Sequence, residues 1–380
     1  MGQALINPKM LTWSRNREGL SVEQMSIKFK KSQEMILEWE QGVSKLTFNQ
    51  AMEWARYTHT PFGYLYLKNP PVETINIPDR RTIDGAKKNI SPELRDTIND
   101  VLIKQEWYKD YLIKNDLITE SVVGNFTLQD NYNKVVSDIR KKLAIEIPPT
   151  KGKWDDLFRD IIKKIESLGV LVMRNGIVKN NTSRPLSVED FRGFAIYDEI
   201  APVIFINTND AKSAQLFTLI HELAHLWIGS SAISNLTNIN DNDNEETFCN
   251  AVAAEYLVPS DLFKNKWESL SPDNIEECAL ELSKYFRVSK WVIARRALTL
   301  SLISKQEYQE YINIINDKVK SSTNGSGNYN KMQKARVSNT LARAVTSEAL
   351  NSRILLSDAY DLIGIKPSNL ASFAEKELNN

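Results

Sequence analysis

Apolar residues at helical spacing, separated by residues that cap helices, dominate the first 68 residues. Ser21, followed three residues later by a glutamine, has the capping-box pattern that begins a helix. Ser32 can begin the next helix, and Gly42 can end it. A fourth helix is expected after Thr47. Residues 1–68 are therefore predicted to form a compact all-α domain.

After this helical segment the pattern becomes extended and then mixed. A connector containing several prolines is predicted at 69–90, and Ser91-Pro92 is typical of the start of a long helix. Three short apolar runs predict strands near 169–173, 191–197 and 202–206, the last two joined by a turn. The middle of the chain therefore combines helices with a small sheet.

The remaining pattern is again helical. An apolar helix is predicted at 211–228, a polar loop at 229–243 and a further helix at 244–257. Helices are also expected from 260 to 316, so that one domain spans 91–316. Residues 317–335 have linker composition, and a helical C-terminal domain is predicted at 336–380. The predicted fold is mainly α with a small β-sheet, of the α+β class.

Composition narrows the functions that this fold can have. Forty-eight basic and 48 acidic residues give zero net charge, which argues against a whole-chain binder of polyanions. Two cysteines exclude a disulfide framework and a four-thiolate zinc site. No apolar run is long enough to span a bilayer, and no signal segment is visible, so a cytoplasmic protein without a membrane partner is expected. The three histidines are His59, His221 and His225.

Two of these histidines lie in the segment His221-Glu222-Leu223-Ala224-His225, inside the apolar run FTLIHELAHLWIG. Helical positions four apart lie about 40° apart around the axis, so both imidazoles can bind one ion. Glu222 lies about 60° further round, where it can take a proton from water activated by a metal. Two ordinary core histidines are the alternative, but two buried imidazoles beside a carboxylate need a partner. The pattern predicts one catalytic Zn²⁺ per chain.

A catalytic zinc ion needs a third protein ligand, and the helix EETFCNAVAAEYLVP offers carboxylates. Glu246 is preferred because Asn250, four residues later, can accept a hydrogen bond from a ligating histidine. Glu245 is the rival ligand, and Glu255 is a weaker third choice. Cys249 is more readily explained as a small core residue than as a ligand. The choice between Glu245 and Glu246 stays open at this point.

The segments FRGFAIYDEIAPVIFINTNDAKSAQLFTLIHELAHLWIG and EETFCNAVAAEYLVP together resemble the ImmA/IrrE metallopeptidase family. The resemblance covers about 70–335 and implies a zinc endopeptidase with the ligands given above. By analogy, the strand 202–207 would pair with an extended peptide substrate. The resemblance assigns no group to stabilise the oxyanion, for which Tyr256 and Arg192 are only guesses.

The N-terminal residues LTWSRNREGLSVEQMSIKFKKSQEMILEWEQG resemble a Xre-type helix-turn-helix of the phage-repressor class. Such domains place their third helix in the major groove of DNA. Nine Lys and Arg against six Asp and Glu give residues 1–70 a net charge of only +3. DNA binding and docking of another protein are therefore both open. The candidate DNA contacts are Gln33, Glu34, Lys28, Lys30 and Lys31.

Residues 278–304 also have the pattern of two helices around a turn, and a helical lobe that covers the peptidase core explains them better than a second DNA-binding motif. Arg295 and Arg296 in this segment are expected on the surface. The amphipathic C-terminal domain, 336–380, has the pattern of a regulatory or oligomerising appendage.

Three functions fit the sequence. The first is an intracellular zinc endopeptidase that cleaves a specific protein, which the resemblance to fused Xre–ImmA/IrrE proteins implies is a helix-turn-helix repressor. The second is a DNA-binding transcriptional regulator whose zinc domain senses a signal. The third is a toxin–antitoxin or phage-defence component whose peptidase acts only when triggered.

Overall fold

A computed structural model describes residues 4–73, 82–83, 86–87, 90–150, 154–234, 244–270, 274–320 and 336–378. These residues are mainly helical with a small sheet, which confirms the predicted fold class. The described α-helices, α1 to α16 in chain order, are Pro8–Arg17, Val22–Phe29, Gln33–Gln41, Phe48–Tyr57, Pro92–Lys114, Tyr132–Leu143, Trp154–Ser167, Lys212–Trp227, Asn244–Leu257, Ser260–Ser269, Ile275–Phe286, Lys290–Thr299, Lys305–Lys320, Asn339–Leu350, Leu356–Ile363 and Pro367–Leu378. None of these helices combines the length and apolar character needed to cross a bilayer.

The described strands form one mixed sheet and two short pairs. In chain order, β1 to β8 are Thr82–Ile83, Ala86–Lys87, Leu171–Asn175, Ile177–Val178, Asn181–Pro185, Gly193–Ile196, Val203–Asn207 and Ala232–Ser234. The four-stranded sheet has the order β3-β7-β6-β8. Strand β3 runs parallel to β7, whereas β6 is antiparallel to both β7 and β8. The pairs β1-β2 and β4-β5 are antiparallel.

The chain divides into two compact units, Met1–Asn76 with Ile90–Arg95, and Ile77–Asn89 with Asp96–Asn380. In the first unit, Ser21 forms the predicted capping box at α2, and Ser32 caps α3. Gly42 ends α3 with φ of +76°, a left-handed conformation that glycine adopts without strain. The all-α prediction for the described N-terminal residues is confirmed. The last short segment, Phe62–Tyr66, is a 3₁₀ helix.

The sheet of the second unit corrects two expectations from the sequence. The segment predicted as a polar loop at 229–243 contains the short strand β8, and its residues 235–243 lie outside the described part of the chain. The strand predicted near 202–206 is β7, which lies between β3 and β6. Both of its edges are already hydrogen-bonded, so β7 cannot pair with a peptide substrate, and that prediction is wrong.

Helix α8 is buried on almost every side and lies in the main core of the second unit. Its apolar residues pack with β6, β7 and α9, and the core extends through α11 and α12. The helical lobe predicted for 278–304 is therefore part of this core. One detail was wrong: Arg296 is 4% exposed and pairs with Glu255, which also removes Glu255 from the candidate metal ligands. Arg295 is exposed as expected.

The C-terminal helices belong to the second unit. Helix α14 contacts β3, α15 ends at the cap residue Gly364, and α16 begins at Pro367. Ser338 caps α14, and its hydroxyl donates to the buried carboxylate of Glu166. Helix α13 reaches Lys320, so the helix extends into the segment with linker composition. Residues 321–335 and most of the connector 69–90 lie outside the described part.

Candidate metal centre

The two histidines of α8 face the same side of the helix, as their spacing of four residues requires. Nε2 of His221 lies 3.1 Å from Nε2 of His225. Neither side chain is exposed to solvent. Two imidazole nitrogens are thus held side by side in the core.

Helix α9 adds a carboxylate to this pair. Oε2 of Glu246 lies 3.2 Å from Nε2 of His221, and its Oε1 lies 3.3 Å from Nε2 of His225. Ligand atoms of the three residues lie within 4.8 Å of one another, and they form the only such metal-holding group among the described residues. Two nitrogens and one carboxylate oxygen are the donor set of many catalytic zinc sites. The structure therefore brings together the three residues that the sequence predicts as metal ligands, with Glu246 and not Glu245 in the group.

Glu222, the predicted base, is fully buried between α8 and the sheet. It faces Gly193 of β6, where an added Cβ would lie 3.2 Å from Oε1 of Glu222. The same Cβ would lie 2.6 Å from Cγ2 of Thr218 and 2.9 Å from the carbonyl oxygen of Phe205. Only glycine allows β6 to come this close to the helix. The Glu222 carboxylate is thus confined between α8 and β6.

Around the ligands, the structure differs from the sequence prediction in one respect. Glu245 accepts a hydrogen bond from Nδ1 of His225 at 3.0 Å and another from the hydroxyl of Ser230. Asn250 is close enough to raise the pKa of His221 by hydrogen bonding, but Nδ1 of His221 makes no bond of good geometry within the described part. Asn250 was the predicted outer partner, whereas the role of Glu245 was missed. The sequence did hold a signal for this role: Glu245 and Glu246 are adjacent, so they point about 100° apart on α9 and can reach different sides of the histidine pair.

The charges of the site are strongly coupled. Burial lowers the pKa of His221, against the effect of Glu246. Burial acts the same way on His225, but its contacts with Cys249, Glu245 and Glu246 raise the pKa of His225 well above its usual value. Burial favours the neutral carboxyl of Glu246, yet the two imidazoles hold its pKa far below the usual range.

The donor set fits a metal cation. A cation at this point would displace a proton held between the imidazoles and Glu246, because ligating histidines are neutral and ligating carboxylates are ionised. The site is buried, and its one carboxylate and two neutral imidazoles would leave a divalent ion with a net positive charge. That excess charge is what a catalytic zinc site uses.

None of the other residues singled out from the sequence belongs to the three-residue group that could hold a metal among the described residues. Tyr256 is fully buried in the core, where burial raises its pKa against the effect of Arg140. Arg192 pairs with Asp210 at 2.7 Å. Neither guess for the oxyanion group gains support. In the N-terminal unit, His59 bonds Glu18 at 2.7 Å. The exposed residues there include all the candidate DNA contacts: Gln33, Glu34, Lys28, Lys30 and Lys31.

A histidine pair on one helix and a glutamate on the next, beside a small mixed sheet, form a possible metal site with the donor set of many metallopeptidases. Residues 165–298 match the IrrE N-terminal-like domain, Peptidase_M78. The chain therefore carries an IrrE-like domain that contains the whole candidate site. Residues 337–376 match a domain of unknown function, DUF8813. No helix-turn-helix model matches the N-terminal residues, and no curated protein matches the chain.

Proposed function

We propose that this protein is a zinc-dependent endopeptidase that cuts one specific protein, a helix-turn-helix repressor. The observation that carries the proposal is the convergence of His221, His225 and Glu246, together with a buried glutamate, Glu222, directly after His221 on α8. Buried ionisable groups are costly unless they are paired or bind a metal, so their assembly at one point indicates a use in chemistry.

Different residues of the site would have different roles in peptide hydrolysis. When bound, zinc supplies the positive charge that polarises a peptide carbonyl and makes water more acidic. Glu222 takes the proton from the attacking water and passes it to the leaving amine. The apolar surroundings of α8 exclude bulk water, which strengthens these electrostatic interactions. His221, His225 and Glu246 hold the metal.

The N-terminal unit would recruit the repressor rather than bind DNA. Its exposed surface on α2 and α3 includes Ile27, which is 72% exposed, Leu37, which is 41% exposed, and the acidic Glu34. Lys28 is partly engaged, because it pairs with Glu53 at 3.2 Å. A carboxylate and apolar side chains oppose binding to phosphates but complement the basic, DNA-reading face of a repressor.

The DNA alternative is tested with random-sequence duplex DNA at physiological salt. We expect no retardation of the duplex in a gel. Binding that weakens in a Lys30→Ala/Lys31→Ala variant and falls steeply with salt would instead support the regulator that binds DNA.

The peptidase proposal is tested with the variant Glu222→Gln, and Glu106→Gln is the control because Glu106 is exposed. Proteins of cells that express each variant are compared by mass spectrometry under several stresses. We expect one protein to be cut at one site by the wild type and by Glu106→Gln, and not by Glu222→Gln. Removing a general base usually costs about 10²–10⁴-fold in rate.

Two other results would count against the proposal. Regulation that persists in Glu222→Gln, without any cleavage, would favour the zinc domain as a sensor. A purified protein that holds no zinc would remove the basis of the chemistry, whereas the proposal expects one zinc ion per chain and its loss in His221→Ala.

A further inference from the structure

Two adjacent carboxylates of α9 contact the histidine pair in different ways. Glu246 reaches Nε2 of both rings, whereas Glu245 reaches Nδ1 of His225, the nitrogen on the far side of that ring. Glu245 is 8% exposed, and only Glu246 lies within the group that could hold a metal. The two acidic residues are therefore not interchangeable.

Glu245 is itself held by the end of α8. The N–H of Gly229 donates to the carbonyl of Leu226 at 3.0 Å, and the N–H of Ser230 donates to the carbonyl of His225 at 2.9 Å. Together with φ of +71° at Gly229, these bonds form a Schellman motif. The motif places the Ser230 hydroxyl against Oε1 of Glu245.

These contacts form a closed cycle of hydrogen bonds that includes His225. The backbone of His225 accepts from Ser230, the hydroxyl of Ser230 donates to Glu245, and Glu245 accepts from Nδ1 of His225. An ionised carboxylate only accepts, so Nδ1 carries the hydrogen. When a metal displaces the proton held between the imidazoles and Glu246, Nε2 is the nitrogen left with a lone pair for the ion, which is the tautomer required of a ligand at that position.

His221 has no comparable cycle of hydrogen bonds among the described residues. The neighbour of His221 is the neutral amide of Asn250, and Nδ1 of His221 has no bond of good geometry to any described residue. A neutral amide orients an imidazole but adds no charge to it. The two metal-facing histidines are thus supported unequally.

We propose that Glu245, held in place by Ser230, is a positioning residue that fixes the orientation and tautomer of His225 for metal binding. The inference rests on the metal site of the proposed function. Outer hydrogen-bonding partners of metal ligands typically contribute about 10–100-fold to affinity. We expect that range for Glu245 and a smaller contribution from Ser230.

The test measures zinc affinity by competition with a chromophoric chelator, on the full chain and without any peptide substrate. Glu245→Ala should weaken zinc binding by about 10–100-fold. Glu245→Gln, which keeps an acceptor oxygen, should recover part of this loss, and Ser230→Ala should show an intermediate effect. Glu246→Ala, which loses a ligand, is the control that should abolish stoichiometric binding.

Substitution of cobalt(II) for zinc distinguishes a metal ligand from a residue that only positions a ligand. The visible bands of the cobalt protein report the number and type of ligands, so Glu245→Gln should retain the wild-type spectrum and Glu246→Ala should not. Thermal unfolding of the metal-free proteins should show that Glu245→Ala still folds.

Two outcomes would overturn the proposal. Equal zinc affinity in the wild type and in Glu245→Ala would show that the cycle of hydrogen bonds does not affect zinc binding. A changed cobalt spectrum in Glu245→Gln would make Glu245 a ligand. Both differ from failure of the proposed function, in which the wild type binds no zinc or binds zinc without cleaving protein.

Discussion

Ser14 in the N-terminal unit and His225 in the second unit are both polar and fully buried, yet their contacts serve different ends. The Ser14 hydroxyl donates to the carbonyl of Leu11 at 2.9 Å and accepts from Nε1 of Trp54 at 3.0 Å. Both hydrogen bonds of the Ser14 hydroxyl are therefore made to neighbouring groups of the protein. His225, by contrast, has one nitrogen bonded to Glu245 and the other directed at two further polar groups.

The difference shows how a buried polar group that serves packing can be distinguished from one that serves ligand binding. Where each donor meets an acceptor nearby, as at Ser14, the polar group specifies packing. Where several ionisable groups crowd at one point with partly shared partners, as around His221 and Glu246, the arrangement costs stability and indicates a ligand. Substitutions at buried polar residues should separate the two cases.

The largest effect is expected at Arg296, a buried polar residue of the structural kind. Its guanidinium donates to Glu255 and, at 3.0 Å, to the carbonyl of Val258. Arg296→Met should lower the free energy of unfolding by about 3–5 kcal/mol, because the buried carboxylate of Glu255 loses the cation that pairs with it. Urea unfolding measures the loss, and Arg295→Met, at an exposed position, is the control. Equal stability of the two variants would contradict the prediction.

A smaller loss is expected at Gly193, where the sheet meets the candidate site. The new methyl group of Gly193→Ala would collide with Thr218 and with the backbone of Phe205, and overpacking of this kind costs about 1–3 kcal/mol. The displaced Glu222 should also reduce the rate of cleavage in the same variant. Gly63→Ala is the control, since a Cβ at Gly63 would meet no heavy atom within 4 Å. Wild-type activity in Gly193→Ala would show that the close approach is not required.

At Ser14 the expected loss is about 1–3 kcal/mol, because Ser14→Ala removes two hydrogen bonds and leaves a buried donor unsatisfied. Ser14→Ala leaves Nε1 of Trp54 without its acceptor. A double-mutant cycle with Trp54→Phe checks the cause, because removing both partners should cost less than the sum of the single losses. Additive losses would mean that the two side chains are not coupled.

The smallest effect is a pH dependence at Glu166. Burial raises the pKa of Glu166, although its bonds to Ser338 and Asn339 act against the shift. A carboxyl whose pKa is higher in the folded state contributes stability at low pH, and this contribution is lost as the pH rises through that raised pKa. The stability of the wild type relative to Glu166→Gln should therefore fall as the pH rises above 4.5, the ordinary pKa of a glutamate carboxyl. A constant difference across this range would exclude the titration of Glu166 as the cause.

Local patterns in the sequence were enough for the features that depend on local geometry. The capping residues Ser21 and Ser32 and the paired histidines of α8 act over at most four residues, and the structure has them as predicted. Spacing within one helix also led to Glu246, because Glu246 and Asn250 share a face of α9.

Features that depend on distant parts of the chain were not predictable in this way. The edges of β7 are covered by β3 and β6, and neither pairing is visible in the residues of β7 itself. Arg296 is buried because Glu255, 41 residues away in the chain, pairs with it. Likewise, the outer role of Glu245 depends on where Ser230 lies after the end of α8.

The placement of the ligands on two helices has a mechanical consequence. A metal ion bound by His221 and Glu246 would tie α8 to α9 and close a loop of roughly 25 residues, which in chain-entropy terms is comparable to a disulfide contributing roughly 3 kcal/mol. The two cysteines are free and buried, so they supply no such tie. A chelator would remove this tie, which should loosen α8 from α9 and make the nearby chain easier for an added protease to cut.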